Sequence, residues 1–354
     1  MSSLIKNKNI IDEFERLVNF IQKEIDDNKE IKDKKKETAN NFRFRQNKKV
    51  LNIIKKFPNE ITNDNIDVFN NQDGIGKGTI DRIKEIINTG KLKELGDFSF
   101  TEDPNTKIIK ELESIVGVGR VQALKFIKMG ITSVEDLKNK VESGELKVND
   151  KVLIGIKYYG KFMENIPHDE ITKVHKLVKK QIDNMNKKYK LDDDSKYIFE
   201  ICGSYRREKP TSGDIDILVS KIGTKIDDEE INHLEILIKV LKKNIKANNN
   251  QPLLVDDITD KSYKTKYMGF SKYKDNPIRR IDIRFVPHNV FPSAMLYFTG
   301  SAELNVKMRK IAKSLNLKLS EYGLSKDDGT IIPIKTEYDI FKILKIEYLA
   351  PNLR

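Results

Sequence analysis

Three aspartates stand where they could hold a hard cation. The segment Gly203-Ser204-Tyr205-Arg206-Arg207 to Ser212-Gly213 leads into Asp214-Ile215-Asp216-Ile217-Leu218-Val219. Strand side chains alternate faces, so Asp214 and Asp216 share one face and Ile215 and Ile217 the other. Two carboxylates on one face of an apolar, β-prone run repel each other, and a fold avoids the pair unless a cation lies between them. Oxygen ligands suit a hard divalent ion, Mg²⁺ first. A second stretch, Arg279-Arg280-Ile281-Asp282-Ile283-Arg284-Phe285, puts Arg280, Asp282 and Arg284 on one face of a strand, opposite Ile281, Ile283 and Phe285. There Asp282 is either paired with its arginines on a sheet surface or a third carboxylate for the same metal site.

These groups need elements to place them. Tyr197 to Cys202 reads as a strand that ends at Gly203, after a helix marked by Ile171, Val174, Leu177, Val178 and Ile182. Upstream, Asp73-Gly74-Ile75-Gly76-Lys77 opens one helix and Val116-Gly117-Val118-Gly119-Arg120 opens another. A glycine turn feeding a helix start presents backbone N–H groups to a phosphate. A single copy reads first as a plain interhelical turn; its repetition in a basic chain favours phosphate contact.

The chain has 354 residues, enough for two to four domains, and a formal net charge of +12. That charge suits a partner made of phosphates, although an AT-biased coding sequence rich in Lys, Asn and Ile raises it too. Cys202 is the single cysteine, which excludes a disulfide framework and points to a reducing, intracellular setting. No apolar run is long enough to span a bilayer, and Met1 to Lys8 lacks the core of a secretory signal, so no membrane partner is expected. Residues 1 to about 50 read as amphipathic helix, with Ile11, Phe14, Leu17, Val18 and Ile21 on one stripe and a solvated charge run from Lys32 to Glu37. A second helical pattern from Phe42 to Phe57 stops at Pro58, and the change from helical to strand patterns marks a boundary near Pro167.

Together these motifs resemble the family X DNA polymerases, of the polymerase beta kind, almost end to end. Gly203-Ser204, Arg207 and Ser212-Gly213-Asp214-x-Asp216 match the nucleotidyltransferase signature. Arg280-Ile281-Asp282-Ile283-Arg284 matches its third acid, and Tyr297-Phe298-Thr299-Gly300-Ser301 matches a nucleotide-pocket signature. The resemblance implies a multidomain α and α/β fold, with an all-α helix-hairpin-helix N-terminal half, a palm with a mixed sheet and a small α/β thumb. Its divisions fall at 1–97, 98–167, 168–288 and 289–354. It implies a template-directed polymerase filling short gaps in base-excision repair. Asp214, Asp216 and Asp282 would hold two Mg²⁺ ions, for which Mn²⁺ can substitute. Ser204, Arg207, Ser212 and Gly213 would bind the triphosphate. Tyr297, Phe298 and Gly300 would line the sugar pocket, with Asn305 on the base and Arg309 on the template. Gly74, Gly76, Lys77, Gly117, Gly119, Arg120 and Arg280 would contact DNA. Each hairpin would hold Na⁺ or K⁺ through main-chain carbonyls of Asn70, Gln72 and Ile75, or of Glu113, Ile115 and Val118.

By the same resemblance the partners are gapped or nicked duplex DNA and deoxynucleoside triphosphates. The protein would act as a monomer beside a ligase and an AP endonuclease, in a nucleus, or in a virus factory or virion for a viral source. The family's minimal architecture is implied, without a BRCT-like or phosphoesterase domain, and the short Met268 to Arg279 segment lacks the loop of template-independent relatives. Departures touch a second activity, 5′-deoxyribose-phosphate lyase. Arg82 stands at the position of the Schiff-base lysine and cannot form the imine, leaving Lys84 and Lys77 as candidates, and Asn47 replaces a tyrosine. Asn165, Ala302 and Val306 replace an arginine, an acid and a lysine near the nucleotide. Two rival readings are a template-independent nucleotidyltransferase on nucleic-acid ends and a non-catalytic DNA-repair scaffold. The first does not account for the hairpins, nor the second for the three acids.

Overall fold

The computed structural model describes residues 6–30, 33–70, 72, 74–96, 104–162, 164–225, 231–259 and 263–354. The expected division between 97 and 98, with Lys32 and Asp73, lies outside them. The chain forms two compact units, Met1–Thr106 and Lys107–Arg354.

The first unit is helical. Helices α1 (Lys8–Glu30), α2 (Lys34–Lys56) and α3 (Lys77–Thr89) bury Phe14, Leu17, Ile21 and Ile25 against Val50, Ile54, Ile83 and Ile86. Their spacing of three and four residues makes one apolar stripe per helix, and each such side chain contributes roughly 1.5–3 kcal/mol on burial. Part of the charge run belongs to α2: Asp33 caps it by accepting from the Lys36 N–H at 3.1 Å. Its end at Phe57 follows from Pro58, which disfavours helix in the residue before it.

The second unit begins within α4 (Pro104–Glu113) and continues through α5 (Arg120–Lys128), α6 (Val134–Glu142) and α7 (Asp150–Tyr158), packed around Leu112, Ala123, Phe126, Leu137 and Val152. Helix α7 passes so close to the Val116-Gly117 turn that a Cβ on Gly155 would lie 2.0 Å from the Val116 carbonyl oxygen. Only glycine permits that approach.

Short strands β1 (Ile166–Pro167) and β3 (Thr211–Ser212) pair across the start of α8 (His168–Lys188). The central sheet has the order β2, β4, β7, β6, β5. These strands are β2 (Tyr197–Ile201), β4 (Ile215–Lys221), β5 (Leu254–Asp257), β6 (Lys266–Ser271) and β7 (Arg279–Phe285). The one-turn α9 (Gly203–Arg206) follows β2, and α10 (His233–Leu241) precedes β5. Pairing is antiparallel except between β4 and β7. Ile215, Ile217, Val219, Ile281 and Ile283 face the core with Val174, Val178, Leu234 and Leu237, so the alternation read from the sequence holds.

Beyond the sheet lie α11 (Phe291–Thr299), α12 (Ala302–Ser314), the meander β8 (Leu317–Ser320), β9 (Gly323–Lys326), β10 (Ile331–Ile332), and α13 (Glu337–Ile343). The helical half, mixed sheet and small C-terminal subdomain agree with the expected fold class.

A buried ionic knot ties α9 to α13. Glu337 accepts from Arg206 at 3.0 and 2.6 Å and from the terminal Arg354 at 2.7 Å. Burial pushes the Glu337 carboxyl up, and the hydrogen bonds from Arg206 and Arg354 outweigh it, leaving the group below its ordinary 4.5. Because the folded value is depressed, this stabilisation is present above the unfolded value and disappears as pH falls through the folded one, below about 4.5. Glu337→Gln leaves the buried Arg354 and the half-buried Arg206 guanidiniums short of charge and is expected to cost about 3 kcal/mol in denaturant unfolding at pH 7. Its deficit should shrink at pH 3.5; an equal deficit at both pH values would contradict the assignment.

Candidate active site

The parallel pairing of β4 with β7 sets Asp216 directly opposite Asp282. One small recess is lined by both carboxylates with Cys202, Ile217, Leu218, Arg284 and Phe298. Burial first, then the charges of Asp214 and Asp282, pushes Asp216 up to about 7, against the pull of Arg284 and Arg280. Asp282 is raised chiefly by burial; Arg280 opposes the rise, and Asp214 adds to it. Asp214 lies just before β4, whose first residue is Ile215, and is exposed, so of the expected pair only Asp216 is withdrawn from solvent.

Arg280 Nη2 donates to Asp282 Oδ1 at 2.7 Å, and Nη1 to the Gly269 carbonyl at 3.1 Å. Both readings of Asp282 therefore meet in one place: it is paired with an arginine and it faces Asp216. Among the described residues, no three His, Cys, Asp or Glu side chains are gathered closely enough to hold a metal ion. Arg280 and Arg284 offset part of the repulsion between the carboxylates.

Gly203, at φ +59°, turns the chain from β2 into α9, and a Cβ there would lie 2.7 Å from Asp216 Oδ2. The glycine therefore serves both the turn and the carboxylate. Helix α9 is a single turn, so its dipole adds little to the phosphate seat expected here. What remains is a set of unsatisfied polar atoms. Arg207 Nε and Ser212 Oγ are buried without a hydrogen-bond partner, although Arg207 Nη1 donates to the Thr299 carbonyl at 2.6 Å. Buried polar atoms are almost always paired, and two orphans in one eleven-residue segment that also carries Ser204 and Gly213 fit a bound anion.

Tyr297 and Phe298 are half-buried with their rings edge to face at 4.9 Å, which makes them walls as well as packing. Phe298 lies under the Arg284 guanidinium and Tyr297 under that of Arg309, each at 4.9 Å. Arg309 also approaches Glu321 at 3.5 Å. Asn305 donates to the Tyr297 carbonyl at 2.8 Å, and Gly300 at φ +75° closes α11. Sequence reasoning missed Arg206 and Thr299, which join at 2.6 Å and steady Arg207 from behind. It also left Arg284 unassigned, although its place on the Asp282 face was the available signal.

The two glycine turns repeat in geometry. Gly74 and Gly117 have φ of +93° and +92°, and Gly76 and Gly119 cap α3 and α5 in the same extended conformation. Ile75 N–H donates to the Gln72 carbonyl and Val118 N–H to that of Ile115, both at 3.0 Å, which leaves each carbonyl a second lone pair. Of the other expected carbonyls, Asn70 caps the 3₁₀ turn before the first hairpin and Glu113 ends α4. Lys77 and Arg120 are the first residues of their helices.

Arg82 is bound to Glu94 through Nε and Nη2. Asn47 is buried and spends its side-chain N–H on the Arg43 carbonyl at 2.8 Å. Lys84 and Lys77 are exposed, and a nucleophilic lysine needs desolvation to lose its proton. Borohydride trapping on a 5′-deoxyribose-phosphate end is expected to leave no covalent adduct. An adduct that Lys84→Ala abolishes would contradict this.

Residues 165–288 match the family model described as DNA polymerase beta palm, residues 294–354 the DNA polymerase beta thumb, and residues 110–163 the fingers domain of DNA polymerase lambda. The chain is 28% identical over 297 residues to DNA polymerase lambda of Rattus norvegicus, covering 79% of this chain and 47% of that protein. It is 29% identical over 324 residues to DNA polymerase lambda of Arabidopsis thaliana, covering 86% and 56%. With the DNA polymerase type-X family protein pol4 of Schizosaccharomyces pombe it shares 24% over 323 residues, covering 85% and 58%. The chain thus spans about half the length of the curated relatives it matches.

Proposed function

We propose, from the premise that the chain belongs to the family X DNA polymerases, that it is a template-directed DNA polymerase filling short gaps in duplex DNA during base-excision repair. The observation that carries this reading is the half-buried Asp216 and Asp282 pair in register, in a chain that also holds a segment whose Arg207 Nε and Ser212 Oγ have no partner. Its substrates are gapped or nicked duplex and deoxynucleoside triphosphates, and it acts as a monomer.

The family generally needs divalent ions, and hard carboxylate oxygens suit them: Asp216 stands in register with Asp282 and is destabilised as an anion by burial and by the charges of Asp214 and Asp282. Asp214, Asp216 and Asp282 would hold two Mg²⁺ ions. When bound, these ions lower the pKa of the primer 3′-hydroxyl and offset the charge of an in-line transition state. The chain's own groups do the rest. Arg280 takes Asp282 Oδ1, which leaves Oδ2 to accept the hydroxyl proton. Ser204, Arg207, Ser212 and the Gly213 N–H hold β- and γ-phosphate oxygens, so the leaving group is fixed before reaction. Tyr297, Phe298 and Gly300 bound the sugar, Asn305 meets the base, and Arg309 reaches the template strand. The hairpin N–H groups at Gly74, Gly76, Gly117 and Gly119, with Lys77 and Arg120, grip DNA phosphates without reading sequence.

The test is extension with Mg²⁺ on a one-nucleotide gap beside the same assay on RNA 3′ ends. Gap filling should dominate. Preferred addition to RNA ends would replace the proposal with template-independent transfer, and salt-sensitive binding of gapped DNA without incorporation would replace it with a scaffold.

A further inference from the structure

Phe270, on β6, has no exposed surface. On one side of its ring lie Tyr158 at 4.4 Å and Phe162 at 5.2 Å, centroid to centroid. Nearby, 5.6 Å from its centroid, is the guanidinium of Arg280, the residue paired with Phe270 across β6 and β7. That same guanidinium holds Asp282 at 2.7 Å. Tyr158 is fixed in turn: its hydroxyl donates to Asp256 Oδ2 at 2.5 Å, and Lys157 Nζ donates to the same oxygen at 2.6 Å. Val116, from the second glycine turn, packs on the same aromatic cluster, and Gly155 lets α7 touch that turn.

We propose that Phe270 is a positioning residue for Asp282, its ring being the platform that fixes the Arg280 guanidinium on the carboxylate. The role rests on the polymerase reading of the site. A desolvated guanidinium over an aromatic face is held electrostatically, and one locked by a ring and by the Gly269 carbonyl has little freedom left.

The experiment uses the full chain as parent, Phe270→Leu, Arg280→Lys and the double variant. Leucine keeps an apolar filling but removes the aromatic face. Single-turnover incorporation on a one-nucleotide gap should slow about tenfold in Phe270→Leu, since small misplacements of reacting groups cost that much or more. The KM for the nucleotide should stay within about twofold, because ground-state binding is untouched. The double variant should be no slower than the slower single variant, because both changes break one linkage. A readout without substrate or ion is the Arg280 side-chain N–H resonance, assigned by its loss in Arg280→Lys. The ring current should displace it in the parent and release it in Phe270→Leu.

An undisplaced Arg280 resonance in the parent overturns the proposal, whether or not Phe270→Leu folds. So do losses that multiply independently in the double variant. A displaced resonance in a parent that incorporates no nucleotide supports the platform and overturns the polymerase reading instead.

Discussion

Asp216→Asn is expected to abolish nucleotide incorporation, by about 10³-fold or more, while raising the melting temperature of the ion-free protein. Both effects come from one arrangement. Asp216 is the most conflicted carboxylate of the site, half-buried, opposite Asp282 and two residues from Asp214. An amide of the same shape removes the repulsion, and a gain of roughly 1 kcal/mol is in the range seen when a strained functional group is relieved. The same amide removes an anionic oxygen that the reaction needs. Gapped-DNA affinity should stay at the parent level, since the hairpins do not depend on Asp216. Single-turnover kinetics, thermal unfolding in chelator and DNA titration check the three statements separately. A variant that loses activity and stability together would point to a packing role for Asp216.

Arg207→Ala should lower kcat/KM for the nucleotide about 10²-fold, with the affinity for gapped DNA unchanged. Its Nε is buried without a partner while Nη1 is already spent on Thr299, so the free donor is held ready by the rest of the side chain. Arg206, anchored on Thr299 and Glu337, supports that geometry from behind. Lysine cannot reproduce a planar fork, so Arg207→Lys should restore little of the loss. Steady-state kinetics with varied nucleotide decides it: a variant whose KM and kcat both match the parent would remove Arg207 from the triphosphate seat.

The sequence made the strands of the site legible because a period of two is visible in Ile215, Ile217, Ile281 and Ile283 against Asp216 and Asp282. The turns were legible because glycines at positive φ leave few substitutes, as at Gly74, Gly117 and Gly203. The contact between the two carboxylate strands was not. Parallel pairing of β4 with β7 joins residues far apart in the chain, and its register is set by tertiary packing. The partners of Arg206 and Arg279 were hidden for the same reason: Glu337 and Glu170 lie 131 and 109 residues away. The exposure of Asp214 was not legible, because the alternation that places it on the Asp216 face does not show that β4 begins only at Ile215. Pairing of Asp282 with its arginines was legible as one of two readings, because Arg280, Asp282 and Arg284 share a strand face, and Arg280 is the one that forms a hydrogen bond to it.

The central claim is that the template chooses the nucleotide. Four one-nucleotide gaps, one for each template base, offered all four deoxynucleoside triphosphates singly with Mg²⁺, test it most directly. The account predicts rapid incorporation only where nucleotide and template base are complementary. Equal addition of all four nucleotides whatever the template base, or no addition in any gap, would contradict it.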